Sequence, residues 1–229
     1  MDETIQLDDG QTVSGLLEAP PEPSACLALA HGAGAGMHHP FLSAVADGLA
    51  ERGIATLRYQ FLYMERGSKR PDPPRIAQAT VRAALLAARR LVPKASLFAG
   101  GKSFGGRMTS QAQAESPLPD VRGLVFLGFP LHPPGRPSDE RGAHLFDAQI
   151  PMLFLQGTRD DFATLPLLRP LVHRLGGRAT LELIDDADHS FRVPKRAGRS
   201  NDEVLAGMLD TLTAWINALC PRKRSAETD

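Results

Sequence analysis

The chain has 229 residues, of which 42% are hydrophobic and 23% are charged, a composition typical of a globular protein and not of a disordered one. Its 26 basic and 26 acidic side chains cancel to a formal net charge of zero, which argues against nucleic acid or an anionic membrane as the partner. Two cysteines, Cys26 and Cys220, are too few for a secreted disulfide framework. An acidic N-terminus without a following apolar stretch, and no apolar run of about 18 residues, predict a cytoplasmic protein.

Apolar runs separated by turn residues predict an alternation of strands and helices. Asp8-Asp9-Gly10 favours the turn of an opening hairpin over 4–17. The run 25–30 is continuously apolar, as a strand buried on both faces of a parallel sheet requires. This rhythm predicts a mostly parallel sheet with helices on both faces. Further strands are predicted at 54–58, 95–100, 121–129, 152–156 and 180–184, and helices near 40–52, 75–91, 103–114, 165–175 and 202–219.

Two stretches, 60–74 and 130–142, have no helical or strand period and are predicted to be surface loops. Both contain clusters of proline and glycine, which favour turns. The connection that holds the second loop is too short for a separate cap domain. We therefore expect a single α/β domain over residues 1–220, followed at 221–229 by a basic tail that frays.

The motif Gly101-x-Ser103-x-Gly105 stands where a predicted strand passes into a helix. This is the context of a nucleophile elbow, in which flanking glycines allow a sharp turn that exposes the serine hydroxyl. Taken alone, the five-residue pattern favours a serine that caps a helix beside turn glycines. A P-loop is rejected because it would need glycine where Ser96 stands and would consume a predicted strand.

A serine nucleophile needs a histidine base and an acid that orients it. Asp160 follows the strand predicted at 152–156, with neighbouring Asp161 as the reserve, and His189 follows the last predicted strand. The chain order Ser103, Asp160, His189 is that of α/β-hydrolases and differs from the orders in chymotrypsin-like and subtilisin-like proteases.

Two backbone amides are candidates for an oxyanion hole. Phe104 follows the serine, and Ala33 lies in the glycine-rich loop after the strand at 25–30. The glycines of that loop do not have the spacing of a dinucleotide-binding loop. His38 and His39 are adjacent without further ligands at metal-site spacing, so we expect solvated or helix-capping histidines, and no metal or organic cofactor.

Lys102 and Arg107 flank the elbow, and the sequence leaves two roles open for them. Either they favour an acidic substrate, or they form a salt bridge that holds a neighbouring loop.

Residues 101–108, 61–67 and the loop that begins at His31 together resemble a group of small bacterial α/β-hydrolases, similar in size to dienelactone hydrolases. The group is related to a testis-expressed hydrolase-like protein and to a subunit of the NSL histone-acetylation complex. The resemblance spans roughly residues 25–218 and implies the α/β-hydrolase fold, with Ser103, Asp160 and His189 as catalytic triad. Dienelactone hydrolases carry cysteine as the nucleophile, so their mechanism is not expected here. Residues 59–62 depart from the group's Arg-Phe-Asn-Phe-Pro-like run, and we expect an altered pocket wall.

These features predict a serine esterase acting on short or exposed acyl esters of small molecules, without a cofactor. A thioesterase or another acyl hydrolase is the alternative within the same chemistry. A binding or scaffold protein that keeps the fold without useful catalysis is the alternative from another class. The sequence does not define the oligomeric state.

Overall fold

The structure is a computed structural model and describes residues 1–220; the predicted basic tail at 221–229 lies outside the described residues. Eight strands form one sheet in the spatial order β1-β2-β4-β3-β5-β6-β7-β8. The strands are β1 (Asp2–Gln6), β2 (Thr12–Glu18), β3 (Ala25–Ala30), β4 (Ile54–Tyr59), β5 (Ser96–Lys102), β6 (Val121–Leu127), β7 (Met152–Gly157) and β8 (Ala179–Ile184). The helices are α1 (Pro40–Ala50), α2 (Leu62–Glu65), α3 (Pro74–Leu91), α4 (Phe104–Glu115), α5 (Leu165–Leu175) and α6 (Asn201–Leu219).

The sheet is mostly parallel, as predicted. Strands β3 to β8 pair in parallel, whereas β1 and β2 form an antiparallel hairpin that joins the sheet antiparallel to β4. The hairpin turn follows from its sequence: Gly10 has φ +83°, and the Asp9 carboxylate accepts a hydrogen bond from the Gln11 amide at 3.0 Å.

Helices cover both faces of the sheet. Helices α1 and α6 pack on one face, and α3, α4 and α5 pack on the other. The central strands β3, β4 and β7 are therefore buried along their whole length. This explains the uninterrupted apolar run of β3, whereas β4 and β7 also bury polar side chains, among them Arg58 and Gln156. Within residues 1–220, no helix combines the length and the apolar character needed to cross a membrane.

The carboxyl end of β5 differs from the prediction. The strand continues through Gly101 to Lys102, two residues beyond the predicted end, although glycine usually weakens a strand. The reason is close backbone approach: a Cβ at Gly100 would lie 2.1 Å from the Val125 carbonyl oxygen of β6, and one at Gly101 would lie 2.5 Å from the Ala30 carbonyl oxygen.

The segment 60–74 is also not a surface loop throughout. Phe61, Leu62 and Tyr63 are buried, and four residues form helix α2. The turns lie after helix α2 and begin at Arg66 and Gly67. The other predicted loop, 130–142, runs into a 3₁₀ helix at Glu140–Phe146 that packs against α4 and α5.

Candidate active site

Three candidate side chains meet at the carboxyl edge of the parallel strands. Ser103 follows β5, Asp160 follows β7 and His189 follows β8. The carboxyl ends of parallel strands lie at one edge of a sheet, where open α/β folds bind ligands. Three segments that are distant in sequence therefore converge.

Ser103 sits in a strained turn between β5 and α4. Its φ of 51° and ψ of −116° are unusual for a residue with a Cβ. The turn is tight because glycine follows: a Cβ at Gly105 would lie 2.6 Å from the His31 carbonyl oxygen. The structure therefore contains the sharp strand-to-helix turn that the glycine spacing predicts.

A continuous hydrogen-bonded chain joins the three side chains. His189 Nε2 lies 2.8 Å from Ser103 Oγ, and His189 Nδ1 lies 2.7 Å from Asp160 Oδ2. Because an ionised carboxylate only accepts, Nδ1 carries the proton and Nε2 is free to accept from the serine hydroxyl. This arrangement can remove a proton from Ser103.

Asp160 is buried and held on both oxygens. Its Oδ2 also accepts from Gln156 Nε2 at 2.5 Å, and its Oδ1 accepts from the Phe162 amide at 2.8 Å. Gln156 is itself fixed, because its Oε1 accepts from the Phe129 amide at 2.8 Å. The reserve residue Asp161 is exposed and does not take part in this network.

The loop that carries His189 is ordered by its neighbours. Asp188 Oδ1 accepts from the amides of Ser190 and Arg192. The Phe162 ring stacks on the imidazole with a centroid distance of 4.2 Å. These contacts limit the rotation of the imidazole.

The glycine-rich loop lies directly beside the elbow. A Cβ at Gly32 would stand 3.9 Å from Ser103 Cβ, and Ala33 lines the cleft above the serine. Within residues 1–220, the Ala33 amide has no hydrogen-bond partner. Phe104 begins α4, and the first amides of a helix have no partner inside the helix.

His31 holds the loop from beneath. It is fully buried, its Nδ1 donates to the Gly32 carbonyl oxygen at 2.7 Å, and its Nε2 accepts from the Phe61 amide at 3.1 Å. Burial lowers the pKa of His31 to about 4, so the ring is neutral, as these two bonds require. The Gly32 carbonyl and the Ala33 N–H belong to one planar peptide. Fixing the carbonyl therefore fixes the direction of the N–H.

Residues 60–63 form a second support, which we call the strut. Tyr63 Oη accepts from the Gly34 amide at 2.9 Å, and Gln60 Oε1 accepts from the Met37 amide at 2.9 Å. Phe61 packs edge-on against Phe104 with a centroid distance of 5.3 Å. The expectation that residues 59–62 alter the pocket wall is wrong, because none of them lines the cleft; the strut supports the loop from behind.

The cleft beside Ser103 has a volume of about 730 Å³. Phe41 and Phe191, stacked at 5.6 Å, and Leu205 of α6 form part of its wall. No residue of the connection between β6 and β7 lines it, in agreement with the predicted absence of a cap domain.

Some residues near the site carry no signal that the sequence pattern could reveal. His31 and Gln156 stand at or within apolar strands, where a polar residue resembles an ordinary core position.

Arg107 does not line the cleft. His39 caps α1, its Nδ1 accepting from the Phe41 amide at 3.2 Å, as the helix-capping alternative predicts.

Comparison with known proteins gives a consistent result for the fold. Residues 23–217 match the family model described as α/β hydrolase domain. In two strains of Mycobacterium tuberculosis, a protein named as a phosphoribosyl transferase is 31% identical over 206 residues. That match covers 84% of this chain and 43% of the relative, so the chain spans less than half the length of that protein.

Solved structures share the fold at low sequence identity. A dienelactone hydrolase from Anabaena variabilis has a TM-score of 0.77 and 20% identity, covering 96% of this chain and 98% of that chain. An α/β serine hydrolase without a lid from Xanthomonas campestris has a TM-score of 0.73 and 21% identity, with 97% and 96% covered. The esterase domain of a Rhodothermus marinus protein has a TM-score of 0.72 and 16% identity, with 95% and 98% covered.

Proposed function

The chain belongs to the α/β-hydrolase domain family, and we propose that it is a serine esterase that cleaves short or exposed acyl esters of small molecules. The observation that carries the proposal is the chain of two hydrogen bonds, at 2.8 and 2.7 Å, from Ser103 through His189 to Asp160. A serine becomes a nucleophile when a base takes its proton and a third group orients the base. Structural neighbours described as serine hydrolases and esterases support the same reaction class.

In the proposed mechanism, Ser103 Oγ attacks the acyl carbonyl while its proton passes to His189 Nε2. Asp160 accepts from Nδ1 and stabilises the imidazolium that forms. The amides of Ala33 and Phe104 donate to the oxyanion of the tetrahedral intermediate. The alcohol leaves with the proton from His189, and water, deprotonated by the same imidazole, releases the acid from the acyl-enzyme. These steps need no metal or organic cofactor.

The shape of the cleft supports the proposed substrate class. Within residues 1–220, the connection between β6 and β7 contributes no wall that would enclose a long acyl chain, and the stacked Phe41 and Phe191 offer an apolar surface. Esters with a short acyl group, or with an exposed ester bond, are therefore the proposed substrates. Thioesters follow the same acyl-enzyme chemistry and are the second candidate. Kinship with the testis-expressed protein and the NSL-complex subunit stays a prediction.

A scaffold protein without catalysis is the competing function. The strained backbone of Ser103 argues against it, because such strain costs on the order of 1–3 kcal/mol and persists where function requires it. The name of the M. tuberculosis relative is not carried over, since the chain spans 43% of that protein.

The test is labelling with a fluorophosphonate probe, together with hydrolysis of p-nitrophenyl acetate and butyrate. We expect the probe to label Ser103, and Ser103→Ala to lose labelling and to lose turnover by about 10⁴-fold or more. Ser110→Ala is the matched control: Ser110 Oγ lies 2.7 Å from His144 Nε2, but Ser110 is buried on α4 and does not line the cleft. Turnover that survives in Ser103→Ala would refute the proposal.

A further inference from the structure

Lys102 is the last residue of β5 and immediately precedes the proposed nucleophile. Within the part of the chain that the structure describes, residues 1–220, its ammonium forms no salt bridge. Instead, Nζ donates to the backbone carbonyl oxygen of His189 at 2.6 Å and lies 5.4 Å from the centroid of the Phe191 ring. The residue beside the serine thus contacts the backbone of the residue that would activate it.

Burying the Lys102 ammonium costs free energy, because burial disfavours its charged form. Burial lowers the pKa of Lys102 to about 8, although the carboxylates of Asp160 and Asp188 act in the opposite direction. An apolar side chain would fill the same space without this cost. The hydrogen bond to His189 is the interaction that an apolar residue would lack.

The end of β6 leaves room for this contact. Gly128 has φ +71°, and a Cβ there would lie 3.0 Å from Lys102 Nζ and 3.4 Å from the His189 ring. A Cβ at this position would displace Lys102 Nζ by a few tenths of an ångström. The glycine therefore keeps open the space that Lys102 and His189 share.

The loop from 185 to 193 is otherwise tied to other parts of the fold. The Asp186 amide donates to Thr158 Oγ1, and the Val193 amide donates to the Asn201 side chain. The Arg159 amide donates to the Ala187 carbonyl. Within residues 1–220, the bond from Lys102 is the one that joins the backbone of this loop to β5, the strand that leads to Ser103.

We propose that Lys102 is a positioning residue, whose ammonium fastens the backbone of His189 to the end of β5 and so keeps the imidazole within hydrogen-bond distance of Ser103. The inference rests on the proposed esterase function and deepens it. Recognition of an anionic substrate by Lys102 is the competing role. Lys102 also lines the cleft. The contact with the His189 carbonyl favours positioning, because it directs one of the three N–H donors of the ammonium onto the backbone of the loop.

The experiment compares Lys102→Met with wild type in three measurements: kcat, KM for p-nitrophenyl butyrate, and the rate constant of fluorophosphonate inactivation. A displaced base slows every attack by Ser103, so we expect kcat and the inactivation rate to fall together by about 10- to 100-fold, with KM unchanged. Lys102→Arg keeps a charged donor and should restore most of both rates. Lys94→Met is the matched control, because Lys94 is exposed at the opposite edge of the sheet, and it should behave as wild type.

Each outcome separates the two proposals. If wild type is labelled and active but Lys102→Met keeps both rates, the positioning role is wrong and the esterase proposal stands. If only KM for anionic esters rises, Lys102 binds substrate and the positioning role is again wrong. If wild type neither reacts with the probe nor turns over esters, both proposals fail. Thermal unfolding identifies a misfolded variant, and Lys102→Gln, judged by the same two rates, then decides the question.

Discussion

At the scale of single residues, the most constrained group is the Asp160 carboxylate. It accepts from Gln156, Phe162 and His189 together, and its side chain is fully shielded from solvent. The Gln156 amide has a fixed orientation, because its oxygen is used by the Phe129 amide. The carboxylate therefore cannot rotate away from His189 without leaving a buried donor unpaired, which is costly.

Asp160→Asn tests this arrangement, with Asp161→Asn as the matched control. Asparagine has an acceptor oxygen and a donor NH₂, so in either orientation the NH₂ faces another donor, the Phe162 amide in one and Gln156 Nε2 in the other. With the NH₂ toward His189, Nδ1 must accept, and the imidazole then carries its proton on Nε2, where it cannot accept from Ser103. We expect kcat for p-nitrophenyl butyrate to fall by about 10²- to 10⁴-fold, while the exposed Asp161 tolerates the same change. Equal kcat values in wild type and Asp160→Asn would contradict the proposed role.

The proximity of Ser103, Asp160 and His189 could be predicted because each follows an apolar strand, and parallel strands end at one edge. Gln156 and His31 could not be found in this way. Both have apolar neighbours in the sequence. Only their hydrogen bonds in the folded protein distinguish them from core residues: Gln156 donates to Asp160, and His31 donates to the Gly32 carbonyl oxygen.

At the scale of elements, the strut at residues 60–63 shows where local patterns fail. The second half of the strut belongs to helix α2, which has four residues and is too short to produce an apolar period. The prolines that follow this helix indicate a loop. Its burial depends on His31 and Phe104, which are distant in sequence. The long elements were predictable for the opposite reason: β3 and α5 have the bounds expected from their apolar runs.

Tyr63→Phe tests whether the strut serves catalysis. The change leaves the ring but removes the hydroxyl that accepts from the Gly34 amide, so the loop with Ala33 loses one anchor. We expect kcat to fall by about threefold to tenfold, the equivalent of one hydrogen bond, with little change in KM. Tyr59→Phe is the control, because that buried hydroxyl lies beside Thr109 and not beside the loop. Similar kcat values for both variants would argue against the strut's role.

At the scale of the whole molecule, two histidines, the buried His31 and the half-buried His144, link stability to pH. Burial lowers the pKa of His31 to about 4, and burial together with nearby Arg107 lowers the pKa of His144 to about 4. In the unfolded chain both would gain a proton near pH 6.5. Between these values the unfolded chain binds more protons, so acid favours unfolding.

We therefore expect the free energy of unfolding to fall as the pH drops from 6.5 toward 4. The slope is at most about 1.4 kcal/mol per pH unit for each histidine. Urea unfolding at pH 7.5, 6 and 5 measures it. His144→Gln should flatten the slope, and His173→Gln, a change at an exposed position on α5, should not. Equal stability at pH 7.5 and 5 would show that these histidines do not control the acid response.

Because the three strand ends converge at the carboxyl edge of the sheet, the opposite, amino edge carries none of the proposed catalytic residues. All the turns that lead into β4 to β8, such as those at 51–53 and 176–178, lie at the amino edge, across the full length of the sheet from the cleft. Tags, surface linkers or fused proteins attached there would face away from the substrate. The molecule is thus suited to immobilisation through that edge, with its cleft directed into solution.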